Sequence, residues 1–405
     1  MTSRPIIHRP RTESDVAEIV MDARAAKTPL AIEGGGTRVG LGRPAELGRP
    51  MQAPVTLSTS ALSGITIYEP AEMVISARAG TPVSEIERAL GEQGQMLPFE
   101  PMDHRALYGS AGDPTIGAVA ACNISGPRRI SAGAARDHLI GLRFVNGRAE
   151  AVKSGGRVMK NVTGLDLVKL VCGSHGTLGV ITEVTFKLLP KARGSGTLVV
   201  EGLDDERAVA CMSAALGSPF EISGAAHLPP GLWGESARTV LRIEHFPDSV
   251  HYRLNALEKL LAAFGPMARL EHEPSLNFWR DLRDVGPLVR PSDSAVWRLS
   301  VAPTRAPRLM RTIRETLQGA YFYDWGGGLI WFATPAQGDC GAGAIRKALG
   351  VTGGHATLTR APDAMRAALD VFEPLSPALM KLTRGVKASF DPQGLFNPGR
   401  MYAEL

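Results

Sequence analysis

The stretch Gly173-Ser174-His175-Gly176-Thr177-Leu178-Gly179-Val180-Ile181-Thr182-Glu183-Val184 constrains this chain more than any other. Three closely spaced glycines lead without pause into Val180, Ile181, Val184 and Phe186, which read as a buried strand. Glycine there permits a left-handed backbone and close approach of a ligand, while the strand's apolar side chains could flank a flat aromatic ring. Two more stretches of this kind lie upstream, Glu33-Gly34-Gly35-Gly36-Thr37-Arg38 and Gly112-Asp113-Pro114-Thr115-Ile116-Gly117. Any one alone is an ordinary tight turn. Three separated loops together point to one large, phosphate-bearing cofactor.

The first loop has a clear local setting. Thr12 to Lys27 reads as a helix capped by Thr12 or Ser14, with Val16, Ile19, Val20, Ala23 and Ala26 on one face. A short strand, Pro29 to Ile32, then delivers the chain into the glycines. Consecutive unshielded amides can form an anion-binding nest, and Arg38 adds a positive charge. The loop is not a P-loop, because no Gly-Lys-Ser/Thr follows. Gly40, Gly42 and Pro44 keep the chain irregular where a Rossmann dinucleotide fingerprint would start a helix.

Strands are predicted near 55–57, 65–68 and 73–77, and a helix capped by Thr81, with Pro82 at its first position, runs to about Gly91. Small residues make Thr115–Ala121 a helix that can pack closely. Asn146-Gly147 signals a hairpin between 138–146 and 149–153, and Asp166–Cys172 reads as a short helix. Lys191-Ala192-Arg193-Gly194-Ser195-Gly196 reads as a linker, so the main boundary is placed there. Beyond it, two successive sets of strands and helices share a β-α-β-β-α-β rhythm, the cadence of a ferredoxin-like α+β domain. A helix near 377–390 precedes the turn-rich tail Phe390-Asp391-Pro392-Gln393-Gly394-Leu395-Phe396-Asn397-Pro398-Gly399-Arg400.

Net charge is +5, with no run of five or more Lys/Arg, so nucleic-acid binding is not indicated. Cys122, Cys172, Cys211 and Cys340 lie far apart in apolar or small-residue contexts. They read as buried free thiols in a reducing compartment, and not as ligands of zinc or an iron–sulfur cluster. The polar, proline-punctuated start carries no secretory signal, and no window approaches the ~18 apolar residues of a membrane span. The expected location is the cytoplasm, with membrane contact only through partner subunits.

Read in order, these motifs resemble the vanillyl-alcohol oxidase, or p-cresol methylhydroxylase-type, superfamily of FAD-binding flavoproteins. Within it the resemblance is nearest to the smaller FAD-binding subunits (E subunits) of bacterial glycolate oxidase. It rests on Pro29–Thr37; on Pro114-Thr115-Ile116-Gly117-Ala118 with Asn123 and Gly126; on Gly164-Leu165-Asp166-Leu167 leading into Gly173–Thr182; and on Phe390-Asp391-Pro392 with Asn397-Pro398-Gly399. The resemblance implies an α+β fold. A PCMH-type FAD-binding domain of two α/β subdomains spans 1–192, a ferredoxin-like cap or substrate domain 193–350, and a segment returning to the flavin domain 351–405. It implies that Gly34, Gly35, Gly36, Thr37 and Arg38 surround the FAD pyrophosphate. Thr115, Ile116, Gly117 and Asn123 would run along the ribityl and flavin side. Gly176, Gly179, Val180 and Ile181 would line the adenosine end, and Asn397 would reach toward the isoalloxazine.

Two departures refine the expectation. No His lies between Glu33 and Arg43 to tether the cofactor, so FAD is expected to be noncovalent. The C-terminal His-rich metal and substrate motif of the larger D-type subunit is missing, and no metal is expected. His355 and Arg360 are the weak catalytic candidates, with Arg298 a second strand arginine able to orient a carboxylate; His104, His138 and His175 read as structural. The implied function is the FAD-binding component of a multisubunit glycolate oxidase in glyoxylate metabolism, working with the larger FAD-binding subunit and an iron–sulfur subunit. The missing motif favours relay of electrons over direct oxidation of the 2-hydroxy acid. The alternatives are a noncatalytic FAD-binding structural subunit and a self-sufficient sugar-alcohol or lactone oxidase.

Overall fold

The computed structural model describes residues 6–44, 55–156 and 165–405; Gly164, quoted above, lies outside them. The chain forms two units. The first comprises Met1–Ile124, Ala134–Lys191 and Asp370–Leu405, the second Ser125–Gly133 and Ala192–Leu369.

The first unit opens with β1 (Ile6–His8), α1 (Glu13–Ala26), β2 (Leu30–Glu33) and β3 (Val55–Ser58), whose strands form a parallel sheet in the order β1-β3-β2. A capping box starts α1: Asp15 N donates to Thr12 Oγ1 at 3.1 Å, and Thr12 N donates to the Asp15 carboxylate at 3.0 Å. The helix buries Val16, Val20 and Ala23 against Leu30, Leu57, Val180 and Phe396. Each buried Val, Leu or Phe here contributes roughly 1.5–3 kcal/mol, so this small sheet depends on α1 and on the distant tail together.

A second, antiparallel sheet follows from β4 (Ile65–Glu69), β5 (Val74–Arg78), β6 (Leu139–Val145), β7 (Ala151–Gly155) and β8 (Val180–Lys187), in the order β4-β5-β8-β6-β7. Its helices are α2 (Val83–Glu92), α3 (Ile116–Cys122) and α4 (Leu167–Val171). Two local expectations need correction. The Thr81 hydroxyl does not cap α2; it donates to Arg78 O at 2.7 Å and accepts from Gly64 N at 2.9 Å. The hairpin between β6 and β7 turns through a longer loop in which Ala149, not Gly147, is left-handed (φ 64°). Gly147 is glycine for another reason: a Cβ there would lie 2.6 Å from Asp391 Oδ1 in the tail.

The second unit is an eight-stranded antiparallel sheet. Its first half is β9 (Gly194–Glu201), α5 (Asp205–Leu216), β10 (Ile222–Leu228), β11 (Arg238–His245), α6 (Pro247–Leu261) and β12 (Met267–Leu270). The second half is β13 (Ala295–Ser300), α7 (Ala306–Arg314), β14 (Ala320–Asp324), β15 (Leu329–Thr334), α8 (Ala342–Thr352) and β16 (His355–Arg360). The strand order, β12-β9-β11-β10-β14-β15-β13-β16, is the ferredoxin-like arrangement written twice, the second time reversed. One expected domain is therefore a pair joined through the second strand of each half. The seam pairs His227 with Tyr323, and Asp205 Oδ2 accepts from Tyr321 OH at 2.7 Å and Tyr323 OH at 2.8 Å across it.

The predicted boundaries shift for packing reasons. The glycines taken for a linker begin β9, and a Cβ on Gly196 would lie 2.7 Å from Leu254 and 2.8 Å from Val250 of α6. The return does not start at 351, because β16 pairs with β13 in the second unit's sheet; it starts at Asp370. There α9 (Pro377–Phe390) leads into the tail, where Leu30 N donates to Leu395 O at 2.8 Å. Among the described residues no helix is long and apolar enough to cross a membrane.

Candidate cofactor site

All three glycine loops belong to the first unit, and two of them touch directly. A Cβ on Gly34 would sit 2.1 Å from Thr115 Oγ1, and one on Gly35 would sit 1.9 Å from Asp113 O. Only Gly36 of the three is left-handed (φ 75°), and its Cβ position is open. Gly34 and Gly35 are thus required by loop–loop packing and Gly36 by conformation. Around this junction a cleft of about 260 Å³ is lined by Gly34, Gly35, Ser58, Gly80, Asp113 and Thr115, with Arg9 and Glu33 on its wall. Burial raises the Glu33 carboxyl above its ordinary range against the lowering charges of Arg9 and Arg400.

The third loop is tied to the second through α3: Gly173 N donates to Ala120 O at 3.1 Å and His175 N to Ala121 O at 2.8 Å. Asn397 ties it to the first. Its Oδ1 accepts from Ile32 N at 2.8 Å and its Nδ2 donates to His175 O at 2.8 Å. Both ends of that amide are committed to the protein, so Asn397 clamps two loops together and does not reach outward as expected. Gly176 makes room for it, since a Cβ there would lie 2.8 Å from Asn397 Nδ2. Gly179 makes room for Phe144, 2.6 Å from its Cβ position.

Other predicted site residues divide sharply. Val180 is fully buried in the α1 core, and Ile181 is buried opposite Phe144. Ile116 N and Gly117 N donate to Thr81 O and Ala79 O, and Asn123 Oδ1 accepts from Arg136 N at 2.9 Å. Their polar groups are in use within the protein. The amides of Gly34, Gly35 and Gly36 donate to no acceptor among the described residues. Thr37 is buried beside them. Arg38 is only 6% exposed; its Nε donates to His104 Nδ1 at 3.3 Å and its Nη2 to Met102 O at 3.1 Å. Arg38 Nη1, Thr115 Oγ1 and Ser174 Oγ are buried without a hydrogen-bond partner among the described residues. Each loop therefore carries one buried polar atom that awaits a hydrogen bond, the property of a site built around a polar ligand.

The histidines are structural in setting. Burial, then the Arg38 charge, lowers His104 to about 3, and burial, then Arg400, lowers His175 to about 3. His175 is left-handed (φ 53°), with its ring edge-on to Phe372 at 4.9 Å. His138 packs near Phe99.

The two catalytic candidates are not brought together. His355 is exposed at the start of β16, and Arg360 is buried at its other end. Arg360 donates to the carbonyls of Ser294, Val289, Leu288 and Pro291 and to Ser294 Oγ, so it staples a loop and has no donor group left for a substrate.

Sequence reasoning missed three groups. Arg400 holds the turn after the first loop by donating to the carbonyls of Arg38, Val39 and Arg43. Lys387 and Asp391 lock the tail against the third loop. Ser58 donates to Gly34 O at 2.9 Å. The buried Lys387 was marked only by its place on the apolar side of an amphipathic helix, which long lysines often border without entering.

The chain is similar to several known proteins in sequence and fold. The FAD binding domain family matches residues 5–155. Glycolate oxidase subunit GlcE of Escherichia coli K12 is 36% identical over 388 residues, covering 96% of this chain and 97% of that protein. Glycolate oxidase subunit GlcD of Bacillus subtilis is 27% identical over 58% of this chain and 46% of its own length. Among solved structures, 4-ethylphenol oxidase from Gulosibacter chungangensis superposes with a TM-score of 0.74 at 13% identity, covering 98% of this chain and 89% of that one. Substrate-bound p-cresol methylhydroxylase gives 0.72 at 14% identity, with 98% and 88% covered. Those two show the p-cresol methylhydroxylase-type fold. At 36% identity over nearly its whole length, the chain belongs to the family of glycolate oxidase subunit GlcE, and its cofactor is FAD.

Proposed function

We propose that this chain is the FAD-binding component of a multisubunit glycolate oxidase, which converts glycolate to glyoxylate with release of two electrons and two protons. The observation that carries the reading is a set of polar groups, one on each glycine loop, together with three amides in a row, that have no partner among the described residues. These fit the dinucleotide part of FAD. The amides of Gly34–Gly36, Arg38 Nη1 and Thr115 Oγ1 would hold the pyrophosphate region, and Ser174 Oγ with the backbone of Gly176 and Gly179 the adenosine end. The remaining expected contacts, from Thr37, Ile116, Gly117, Asn123, Val180 and Ile181, would be backbone or packing contacts. FAD when bound supplies the two-electron acceptor that amino-acid side chains lack.

Asn397 and Arg400 serve this site by fixing the loops, so that the free donors are pre-aimed and are not reoriented on binding. The electrons would pass to an iron–sulfur subunit. The four cysteines lie far apart in sequence with no C-x-x-C, which supports placing that centre on a partner. The test is anaerobic titration of the purified, FAD-loaded chain with glycolate, alone and with the larger flavin subunit and the iron–sulfur subunit, following flavin absorbance. Bleaching under at least one of these conditions is expected; none under any of them refutes the reading.

A further inference from the structure

Within the second unit, two arginines converge on one indole. Arg129, in the segment Ser125–Gly133, places its guanidinium carbon 4.5 Å from the centre of the Trp325 ring; Arg298, on β13, lies 5.0 Å from the same centre. The indole is held rigidly. Trp325 sits in the left-handed region (φ 53°), its N donates to Asp324 Oδ1 at 2.7 Å, and its Nε1 donates to Gly126 O at 3.1 Å. Such a conformation is unfavourable for a bulky side chain and persists only where its surroundings impose it.

Arg298 faces away from the helices. Its neighbour Trp297 donates to Cys340 O and carries Arg346 of α8 over its ring, and consecutive strand residues point to opposite faces. Other buried arginines of this unit are fully engaged: Arg360 on carbonyls, Arg242 on Ser223 and Glu244. Arg128 forms a two-pronged pair with Glu244 at 3.0 and 2.9 Å. Arg298, although partly buried, donates a hydrogen bond to no group among the described residues, and no carboxylate pairs with it. Burial, then the Arg129 charge, lowers it to about 10, opposed only by Asp324. At Trp325, Arg129 and Arg298 share one indole, and Asp324 accepts from its backbone N. The Arg129 and Arg298 charges repel each other at the indole, an arrangement that a bound anion stabilises.

We propose that Arg129 and Arg298, braced on Trp325, form a carboxylate-binding subsite on this chain that takes the carboxylate of a small 2-hydroxy acid. The inference rests on the functional reading above and deepens it: substrate recognition lies on this subunit, contrary to a chain that only relays electrons. A planar carboxylate offers two acceptors to two guanidiniums, while the indole edge covers the short carbon skeleton.

The test is calorimetric titration of the full-length, FAD-loaded chain with 2-hydroxyisobutyrate, which has no hydrogen on C2 to lose, and with its neutral amide. Tryptophan fluorescence gives a second readout that does not depend on turnover. The acid should bind at least ~10-fold more tightly than the amide. Arg298→Met should weaken the acid by roughly 10- to 100-fold, as for loss of a charge-assisted hydrogen bond, and leave the amide unchanged. Arg298→Lys should recover part of the loss. Equal affinity of the acid for the wild-type and Arg298→Met chains overturns the proposal. So does failure of the wild-type chain to prefer acid over amide, or binding of inorganic phosphate as tight as that of the acid. If the assembled complex carrying Arg298→Met oxidises glycolate with an unchanged KM, the subsite is wrong while the functional reading stands. If no assembly bleaches with glycolate, the functional reading itself fails.

Discussion

Replacing Lys387 by Met should loosen the tail from the cofactor loops. The Lys387 ammonium donates to Thr177 O at 2.8 Å, Asp391 Oδ2 at 2.7 Å and Phe396 O at 2.8 Å, joining α9, the third glycine loop and the tail at one point. Burial lowers its pKa, and the Asp391 charge and hydrogen bond act against that shift. Asp391 is 1% exposed and also accepts from Leu395 N at 3.0 Å and Phe396 N at 2.8 Å. Met keeps the length of the side chain but removes every donor, leaving a buried carboxylate without a countercharge. Breaking a buried ion pair from one side costs ~3–5 kcal/mol; the two amides that remain on Asp391 favour the lower end, about 3 kcal/mol. For a unit of roughly 200 residues this lowers Tm by about 6–12 °C. Scanning calorimetry of the FAD-free and FAD-loaded chain measures it, and flavin retention on gel filtration should fall in parallel. Adding Asp391→Asn should recover about 1–2 kcal/mol by neutralising the stranded charge. A Tm for Lys387→Met within about 2 °C of wild type, or a double variant less stable than the single one, would refute the reasoning.

Gly35→Val should abolish most FAD binding, since its Cβ position is 1.9 Å from Asp113 O and the first two loops would be forced apart; a full flavin complement after gel filtration would sink this. Acid should destabilise the first unit well above the carboxylate range. His104 and His175 stay neutral down to about 3 when folded, while the unfolded chain takes up protons near pH 6.5, so stability is whole above that pH and declines below it. Each histidine accounts for about 1.4 kcal/mol per pH unit, or ~4 kcal/mol together at pH 5, and urea midpoints unchanged between pH 7 and pH 5 would contradict it. The flavin should remain in the supernatant after acid precipitation, and colour in the pellet would reveal a covalent tether.

The glycine loops were readable because three of them in order are hard to reconcile with anything but a shared ligand, yet the reason for each glycine was not. Gly35 reads from sequence as glycine for close phosphate approach, and its Cβ position is also closed by Asp113 O; a contact between residues far apart in the chain leaves no periodic trace. Arg298 and Arg360 looked alike as strand arginines. They differ because five acceptors between Leu288 and Ser294 surround one and an indole surrounds the other, a matter of tertiary neighbours alone. The doubled β-α-β-β-α-β rhythm was legible from element order, but the reversed second half and the excursion of Ser125–Gly133 into the second unit were not. Strand pairing and sequence order are only loosely coupled in antiparallel sheets.

The clasp between Asn397 and Ile32 closes a span of 365 residues. A ribosome adding ~5–20 residues per second needs roughly 20–70 s to cover it. During that interval β2 has no tail segment beside it, and the first and third glycine loops lack the amide that spaces them. Cofactor capture is thus deferred to the last moments of synthesis or to the released protein, after the sheet of the second unit has been synthesised. A ribosome-stalled chain ending at Phe390 should retain no flavin, and one carrying the full tail beyond the exit tunnel should.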